Sequence, residues 1–318
     1  MVDTVKTVKS SLGDYSSLSA WDAGQQKVIA AGDRELAECY SFNDTTQCTI
    51  DGWTTASNAS IYIYTPAAER HAGVWNTGKY HLSSNAAGGT LIINEEYVTV
   101  EGLQVANGTA ADSSECAVSI GTLAASSSVK ITESILRHTN GGRFTFRLDG
   151  TAGTAVLQNC ILYGDSVGAV ANPNGGTLNM DNVTGIGATY GSYQAVGPTT
   201  ARNCYFSGTT SYQGTHTLTT SASSDATTGS VGLRSIAYST ANFTNVTAGS
   251  ENLHLVSGSA LIDVGTDLSA SFTVDIDGVT RSGTWDIGAD EYVAAAGGQP
   301  YIKRTGGVPF MARNRGIW

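Results

Sequence analysis

The chain has 318 residues, of which 14% are charged and 38 are glycine, and its formal net charge is −10. Few charges with abundant Gly, Ser, Thr and Asn disfavour a helical protein and favour turns and alternating strands. An acidic surface repels phosphates, which argues against broad nucleic-acid binding, and the 41% apolar content is enough for a core.

A polar lead-in and one helix are predicted at the start of the chain. The segment 17–30 fits an amphipathic helix in which Ser17 is the N-cap and Leu18, Trp21 and Val28 form an apolar stripe. Such a helix would cover the open end of a stacked structure; binding a partner is the alternative role. The start lacks the apolar stretch of a secretory signal. No 18-residue apolar run occurs, so we expect no membrane span.

Strands rich in β-branched and aromatic residues follow the helix. They are expected at 35–40, 48–53, 61–65 and 90–94, and the Gly- and aromatic-containing stretch 71–81 is expected to be a loop or side hairpin.

A short phrase of alternating apolar and polar residues then recurs. Aligned on the apolar residue after a polar pair, its positions are Leu103, Ile135, Ile161, Val183 and Tyr205, at steps of 32, 26, 22 and 22 residues. A period in the twenties with alternation is typical of a coil that adds one strand per turn to a growing parallel sheet.

Additional strands between these phrases, at 116–120 and 144–148, indicate at least two sheet faces per turn. Residues 207–232 are almost wholly Ser, Thr, Gly and Ala, so a long loop or weak turns are expected there. The phrase alignment places Cys160 and Cys204 two turns apart, which is about 9.6 Å. A disulfide needs Cα atoms within about 7 Å, so we expect reduced, inward-facing thiols rather than a reactive nucleophile.

The repeat pattern resembles the right-handed parallel β-helix superfamily with the pectin-lyase-like fold. The segments 259–265, 274–278 and 285–292, the last reading Trp-Asp-Ile-Gly-Ala-Asp-Glu-Tyr, are similar to an ending common in β-helix proteins of bacteria and phages. The departure from the bacterial members is that no secretion signal or surface anchor is visible.

Two further segments resemble tailed-phage virion proteins. The C-terminal segment 306–318 is similar to tails on such proteins, and 14–21 together with 50–53 is similar to the opening of phage-associated β-helix proteins. This resemblance implies a virion location.

β-Helix enzymes of this superfamily act on polysaccharides, so the resemblance raises the question of catalysis. The candidate residues are Glu133, His138, Arg143, Arg147, Asp149 and Asp165. Glu133 aligns with Asn159, and Asp149 and Asp165 fall at different phases of the repeat. The sequence therefore predicts no pair of carboxylates at the spacing that glycosidases use, and we interpret these residues as solvated turn residues.

The acids of the C-terminal module have two interpretations. They are Asp263, Asp275, Asp277, Asp286 and Asp290. Asp275 and Asp277 followed by Gly278 match a fragment of a calcium loop, but the remaining ligands of such a loop are absent. We expect these acids to cap turns and accept backbone N–H bonds, with bound calcium as the alternative.

The C-terminal segment is the most functional-looking part of the sequence. Residues 297–318 contain four basic residues and no acid, so the rest of the chain carries 13 basic and 27 acidic residues, or −14. Apolar side chains that anchor and basic side chains that steer are suited to docking onto an acidic neighbour. A flexible terminus without a partner is the alternative. The predicted docking residues are Tyr301, Lys303, Arg304, Phe310, Arg313, Arg315 and Trp318.

Together these observations predict an all-β protein, a right-handed parallel β-helix (solenoid) with an N-terminal capping helix and an extended C-terminal tail. The predicted units are 1–34 (lead-in and helix), 35–250 (β-helix), 251–293 (terminal β module) and 294–318 (linker and docking tail).

The function expected is a non-enzymatic virion protein without cofactor or metal, a head decoration or cement protein or a projecting knob or fibre. Its partners would be other virion proteins and further copies of itself. A tail-associated polysaccharide depolymerase or glycan-binding module, contacting a host surface glycan, is the first alternative, and a bacterial surface adhesin is the second.

Overall fold

Backbone pairing between successive turns of the chain defines the architecture. The computed structural model describes residues 2–109, 115–141, 143–164, 167–228 and 232–294. Within these residues, three sheets of nine, eight and seven strands run side by side, and the pairs within each are parallel. Each of the seven complete turns that these residues form, from 34–50 to 199–213, contributes a strand to every sheet, because stacking on the next turn pairs backbone groups that a single thin turn leaves open. The predicted parallel β-helix is therefore confirmed.

The strands are as follows. The first sheet contains β1 (Asp3–Val8), β2 (Arg34–Cys39), β5 (Ser60–Tyr64), β8 (Val98–Glu101), β11 (Ser128–Thr132), β14 (Thr154–Gln158), β17 (Thr177–Asp181), β20 (Thr199–Arg202) and β23 (His216–Thr219). The second contains β3 (Asn43–Asp44), β6 (His81–Ser84), β9 (Gln104–Asn107), β12 (Ile135–His138), β15 (Ile161–Gly164), β18 (Thr184–Ile186), β21 (Tyr205–Ser207) and β24 (Ala222–Ser223). The third contains β4 (Cys48–Ile50), β7 (Leu91–Ile93), β10 (Val118–Ile120), β13 (Phe144–Leu148), β16 (Gly168–Asn172), β19 (Tyr190–Gln194) and β22 (Thr210–Gln213).

The predicted helix is shorter than expected. α1 spans Leu18–Gln25, and Ser17 Oγ accepts a hydrogen bond from the Ala20 N–H, as expected for the N-cap. Leu18 and Trp21 are buried over the first turns, but Val28 lies beyond the helix and is 72% exposed. The helix ends because the backbone of Gln26 leaves the helical region.

Two segments that lack a clear apolar pattern in the sequence contain strands. The polar lead-in contains β1, which pairs in parallel with β2 along its whole length. The Ser/Thr-rich segment 207–232 contains β22, β23 and β24, which continue all three sheets. The Ser/Thr-rich segment therefore forms turns of the β-helix, one of its two expected alternatives, rather than a long loop, because backbone pairing with the neighbouring turn, rather than apolar content, stabilises a terminal turn.

The register of the predicted ladder is correct at three positions and slipped at two. Ile135, Ile161 and Tyr205 share one ladder, but Gln104 and Thr184 occupy it in the other two turns. The predicted members Leu103 and Val183 lie one residue earlier, at the buried second position of the corner between the first and second sheets. An apolar residue at the corner gives the same apolar–polar pattern as the first residue of a strand, which explains the slip in register.

The first position of that corner has left-handed backbone in turn after turn. These residues are Gly102, Glu133, Asn159, Asn182 and Asn203, with φ between 48° and 71°. Asn tolerates this conformation better than most residues with a side chain. The second position faces the interior, where Cys160 and Cys204 are buried and free, as expected, with Val183 between them.

The C-terminal module covers the outer face of the second sheet. In the structure the module begins before residue 251, with the antiparallel strands β25 (Phe243–Asn245) and β26 (Asn252–Leu255), which are followed by turns. The outward side chains Ile135, Ile161 and Tyr205 form an apolar cluster with residues of this module, separate from the interior core. The ladder that the sequence singled out is therefore buried between the coil and the module.

Candidate functional site

An asparagine ladder anchors the module to the β-helix. Asn159 Nδ2 donates to the Val274 carbonyl at 2.6 Å, and Asn203 exchanges hydrogen bonds with both backbone groups of Thr266. The left-handed corner turns these amides outward in successive turns, so a repeated local conformation becomes a row of hydrogen-bonding groups.

The acids of the module hold its turns together. Asp275 accepts hydrogen bonds from the backbone N–H groups of Asp277, Val279 and Glu291. Asp286 and Asp290 likewise accept backbone N–H groups, from Asp263 and Tyr292 and from Leu255. The expected turn-capping role is confirmed for these three acids, whereas Asp263 contributes its own N–H.

Burial dominates the electrostatics of the module. Burial, together with repulsion from Asp290 and Asp277, raises the pKa of Asp275 to about 7. Burial also raises the pKa values of Asp286 and Asp290 to about 6. Arg281 is buried among them, where it pairs with Glu291 at 3.0 Å and donates to main-chain carbonyls.

A cleft opens between the loop 66–80 and the module. The outward Gln104 of β9 fixes this loop, since it accepts from the Asn76 N–H at 2.6 Å and donates to the carbonyls of Asn76 and Tyr80. The cleft has a volume of about 820 Å³, and its walls include Trp75, Asn76, Arg137, Asn252, His254 and Asp277.

The floor of the cleft combines an aromatic ring with a cation. The Arg137 guanidinium lies 5.5 Å from the centre of the Trp75 ring, and this ring contacts His81 edge-on at 5.8 Å. Arg137 reaches the cleft because it is an outward residue of β12, two positions after Ile135. Aromatic, amide and charged groups along one cleft are suited to a polar ligand.

His254 brings a titratable group to the wall of the cleft. Its Nε2 lies 2.9 Å from Asp277 Oδ2 and 3.9 Å from Asp290 Oδ1, so these three residues could hold a metal ion. The sequence analysis selected both acids but missed the histidine. The sequence feature that could have identified His254 is its position on the less buried side of a short alternating strand, just before the Asp-rich segment.

Among the described candidate catalytic residues, the two acids lie in different parts of the β-helix. Glu133 is at the corner of the first and second sheets, where it forms an ion pair with Arg70; burial raises the pKa of Glu133. Asp149 follows β13 in the third sheet, paired with Arg147 at 2.7 Å and accepting from Ser119 at 2.9 Å. His138 is buried at the end of β12, Arg143 is exposed, and Asp165 lies outside the described residues.

The predicted docking residues Tyr301, Lys303, Arg304, Phe310, Arg313, Arg315 and Trp318 also lie outside the described residues, which end at residue 294. Among the residues that the structure does describe, no helix has the length and apolarity required to cross a membrane.

The strand pairing defines a parallel β-helix protein with a covering C-terminal module. No protein-family model matches the chain, and no curated protein matches it. Among solved structures, the chain is similar to the crystal structure of pectate lyase Pel9A, at 14% identity and a TM-score of 0.34. That alignment covers 92% of this chain and 96% of the other.

Proposed function

We propose that this chain is a non-enzymatic structural protein of a tailed-phage virion, a head decoration or cement protein or a projecting knob or fibre. It attaches through its C-terminal segment. The short resemblances in segments 14–21, 50–53 and 306–318 support the proposal. So does the fold, because a stack whose turns pair along three sheets offers few exposed backbone segments to proteases.

The observation that carries the proposal is the placement of the candidate catalytic carboxylates. Glu133 lies at the corner between the first and second sheets and Asp149 follows a strand of the third, and each is paired with an arginine. A hydrolase requires two carboxyl groups facing one another at roughly 5–9.5 Å across a sugar-binding surface. Because each of these carboxylates forms its own ion pair with an arginine, their placement favours a scaffold role over hydrolysis.

The distribution of charge between the C-terminal segment and the rest of the chain indicates what kind of surface the partner has. The chain outside 297–318 carries a formal charge of −14, whereas that segment carries four basic residues and no acid. The proposed partners are therefore acidic virion proteins or a second copy of this chain. The aromatic residues Tyr301, Phe310 and Trp318 provide apolar anchors, and the basic residues accelerate encounter.

A truncated chain that lacks residues 297–318 tests the attachment. We expect it to keep the β-type circular dichroism spectrum and thermal unfolding of the full chain but to be absent from assembled particles. Incorporation of the truncated chain at the full-length level would refute the docking role.

Two variants of the full chain separate the two kinds of docking residue. Replacing Tyr301, Phe310 and Trp318 by Ala removes the apolar anchors, and we expect attachment to be lost at any salt concentration. Replacing the four basic residues by Gln removes the steering charges, and we expect slower attachment that no longer depends on salt.

The cleft favours glycan binding as a second candidate function. Trp75 offers a half-buried ring, and Asn76 and Thr77 are exposed beside it. Binding of host capsular polysaccharide that is lost in Trp75→Ala, without release of reducing sugar by the wild-type protein, would support a glycan-binding module. Release of reducing sugar would support a depolymerase and contradict the non-enzymatic proposal.

A further inference from the structure

Three side chains of the C-terminal module direct one ligand atom each to a common point. His254 lies on β26, Asp277 lies in the turn between the bridged residues Val274 and Thr280, and Asp290 lies near the end of the module. Their ligand atoms lie within 4.8 Å of one another. Tetrahedral metal bonds of about 2.0–2.2 Å separate the ligand atoms by roughly 3.3–3.6 Å, so small side-chain shifts would complete a site.

The orientation of His254 suits metal binding. Asn252 Oδ1 accepts from the His254 backbone N–H at 3.2 Å, which turns the amide oxygen toward the histidine. The same oxygen lies 2.5 Å from His254 Nδ1, so Nδ1 is the donor. Nε2 meets Asp277 Oδ2 at 2.9 Å through a hydrogen bond, so a metal ion binds the Nε2 lone pair by displacing the proton of that bond. A second ring nitrogen that donates to an oxygen is the usual support of a metal-binding histidine.

The two carboxylates are also positioned by the fold. Asp290 Oδ2 accepts the Leu255 N–H at 2.7 Å, which leaves Oδ1 directed toward His254. The backbone N–H of Asp277 donates to Asp275 at 2.9 Å and thereby fixes the turn that presents its carboxylate. Both ligands are set by main-chain contacts and need little ordering on binding.

A glycine of the loop 66–80 packs closely against the ligand atoms. A Cβ atom at Gly73 would lie 2.5 Å from Asp277 Oδ1 and 2.6 Å from His254 Nε2. His254 and Asp277 line the main cleft, and together with Asp290 they line an adjoining cavity of about 180 Å³. Water can therefore reach the cluster and complete a coordination shell.

We propose that His254 Nε2, Asp277 and Asp290 bind one divalent transition-metal ion of the Zn²⁺ class, with water from the cleft as the remaining ligand. An imidazole nitrogen with two carboxylates is a donor set for Zn²⁺, whereas Ca²⁺ takes six to eight oxygens. The ion joins β26, the turn 274–280 and the end of the module, so its binding stabilises the module against unfolding.

The test uses the tag-free full chain, treated with a chelator, dialysed and titrated calorimetrically with ZnCl₂ or CaCl₂ at neutral pH. We expect one Zn²⁺ per chain, and Ca²⁺ binding at least tenfold weaker. His254→Gln and Asp277→Asn should each weaken Zn²⁺ binding at least tenfold. The matched control is Asp267→Asn, which removes a charge from an exposed acid of the same module and should bind as the wild type does.

Thermal unfolding gives a second readout. Zn²⁺ should raise the melting temperature of the wild type and of Asp267→Asn but not of the two site variants, whose folding is checked by circular dichroism. Gly73→Ala, which crowds the cluster without removing a ligand, should also weaken binding. Absent or substoichiometric Zn²⁺ binding, equal binding by the site variants and the control, or a preference for Ca²⁺ would each overturn the proposal.

Discussion

Asn182, at a corner of the β-helix, donates a 2.9 Å hydrogen bond to the main-chain carbonyl of Asp286, although 104 residues separate the two. Its Nδ2 also donates to the Gly288 carbonyl at 2.9 Å. The residue has φ of 50°, so the conformation that turns the chain between two sheets also points the amide at the module. A single corner residue thus contributes both to the turn of the β-helix and to the attachment of the C-terminal module.

Asn182→Ala is expected to destabilise the protein by about 2–3 kcal/mol. It leaves the Asp286 carbonyl without its donor and the Gly288 carbonyl with Arg281 alone, at about 1–2 kcal/mol together, and it places Ala in left-handed backbone at about 1 kcal/mol. Asn182→Gly loses the same hydrogen bonds but tolerates the backbone, so its loss should be smaller. Denaturant unfolding of both variants measures the difference; equal stability of Ala and Gly variants would contradict the backbone part of the argument.

Arg70 joins the loop 66–80 to the β-helix through ion pairs with Glu101 and Glu133. Arg70→Gln should cost about 2–3 kcal/mol, because it leaves two poorly exposed carboxylates without a counter-charge. Arg34→Gln is the control: its pair with Asp3 is about one-third exposed on both sides, and we expect a loss below about 1 kcal/mol. Chemical denaturation compares the two, and similar losses would show that Arg70 contributes no more than a surface pair.

The architecture could be predicted from the sequence because the interaction that produces it, backbone pairing between neighbouring turns, recurs along the chain. Every turn needs the same backbone pairing, so the alternating phrase recurs, and Ile135, Ile161 and Tyr205 fall on one ladder as expected. The register slipped at Leu103 and Val183 because an apolar side chain is also suited to the inward corner position. Periodicity alone does not distinguish a corner from the first residue of a strand.

The candidate site could be predicted only in part. The acids Asp277 and Asp290 were visible in a conspicuous motif. Their partner His254 and the opposite wall at Trp75 are not linked to them by any local pattern, since the loop 66–80 and the module meet through tertiary contacts with the second sheet and with each other. Contacts between segments so far apart in the chain leave no periodic signal in one sequence.

Gly164 allows two turns of the second sheet to stack closely. Its φ is 138°, and a Cβ atom there would lie 1.8 Å from the His138 carbonyl oxygen. Gly164→Ala should therefore separate the turns and cost more than about 3 kcal/mol, or prevent folding. Gly258→Ala is the control, because Gly258 also has positive φ but open space around it, and about 1 kcal/mol is expected. Solubility and thermal unfolding distinguish steric clash from backbone strain; equal effects would rule out the clash.

The buried thiols should be unreactive in the folded protein. Cys160 and Cys204 face the interior, and burial raises the pKa of Cys160 to about 12. Since the thiolate is the reactive form, we expect a disulfide-exchange reagent to label no cysteine in native protein and all five in denaturant. Rapid labelling of either corner cysteine without denaturant would contradict the buried stack and favour a reactive thiol.

His216, on the last strand of the first sheet, should make the protein sensitive to acid. Burial lowers its pKa to about 4, and its Nε2 lies 3.0 Å from Ser192 Oγ. The unfolded chain, with an ordinary pKa near 6.5, binds a proton that the folded chain excludes. The stabilising contribution of neutral His216 is therefore complete above about pH 6.5 and decreases as the pH falls toward 4.

The variant His216→Asn isolates this contribution, because the buried acids of the module titrate equally in both proteins. The raised pKa of Asp275 acts in the opposite direction, stabilising the fold as the pH falls through about 7, and it cancels in the comparison. The difference in unfolding free energy between wild type and variant should shrink by roughly 2–3 kcal/mol between pH 8 and 4.5. Denaturant titrations at each pH measure it, and a difference that stays constant would mean that His216 titrates normally in the folded protein.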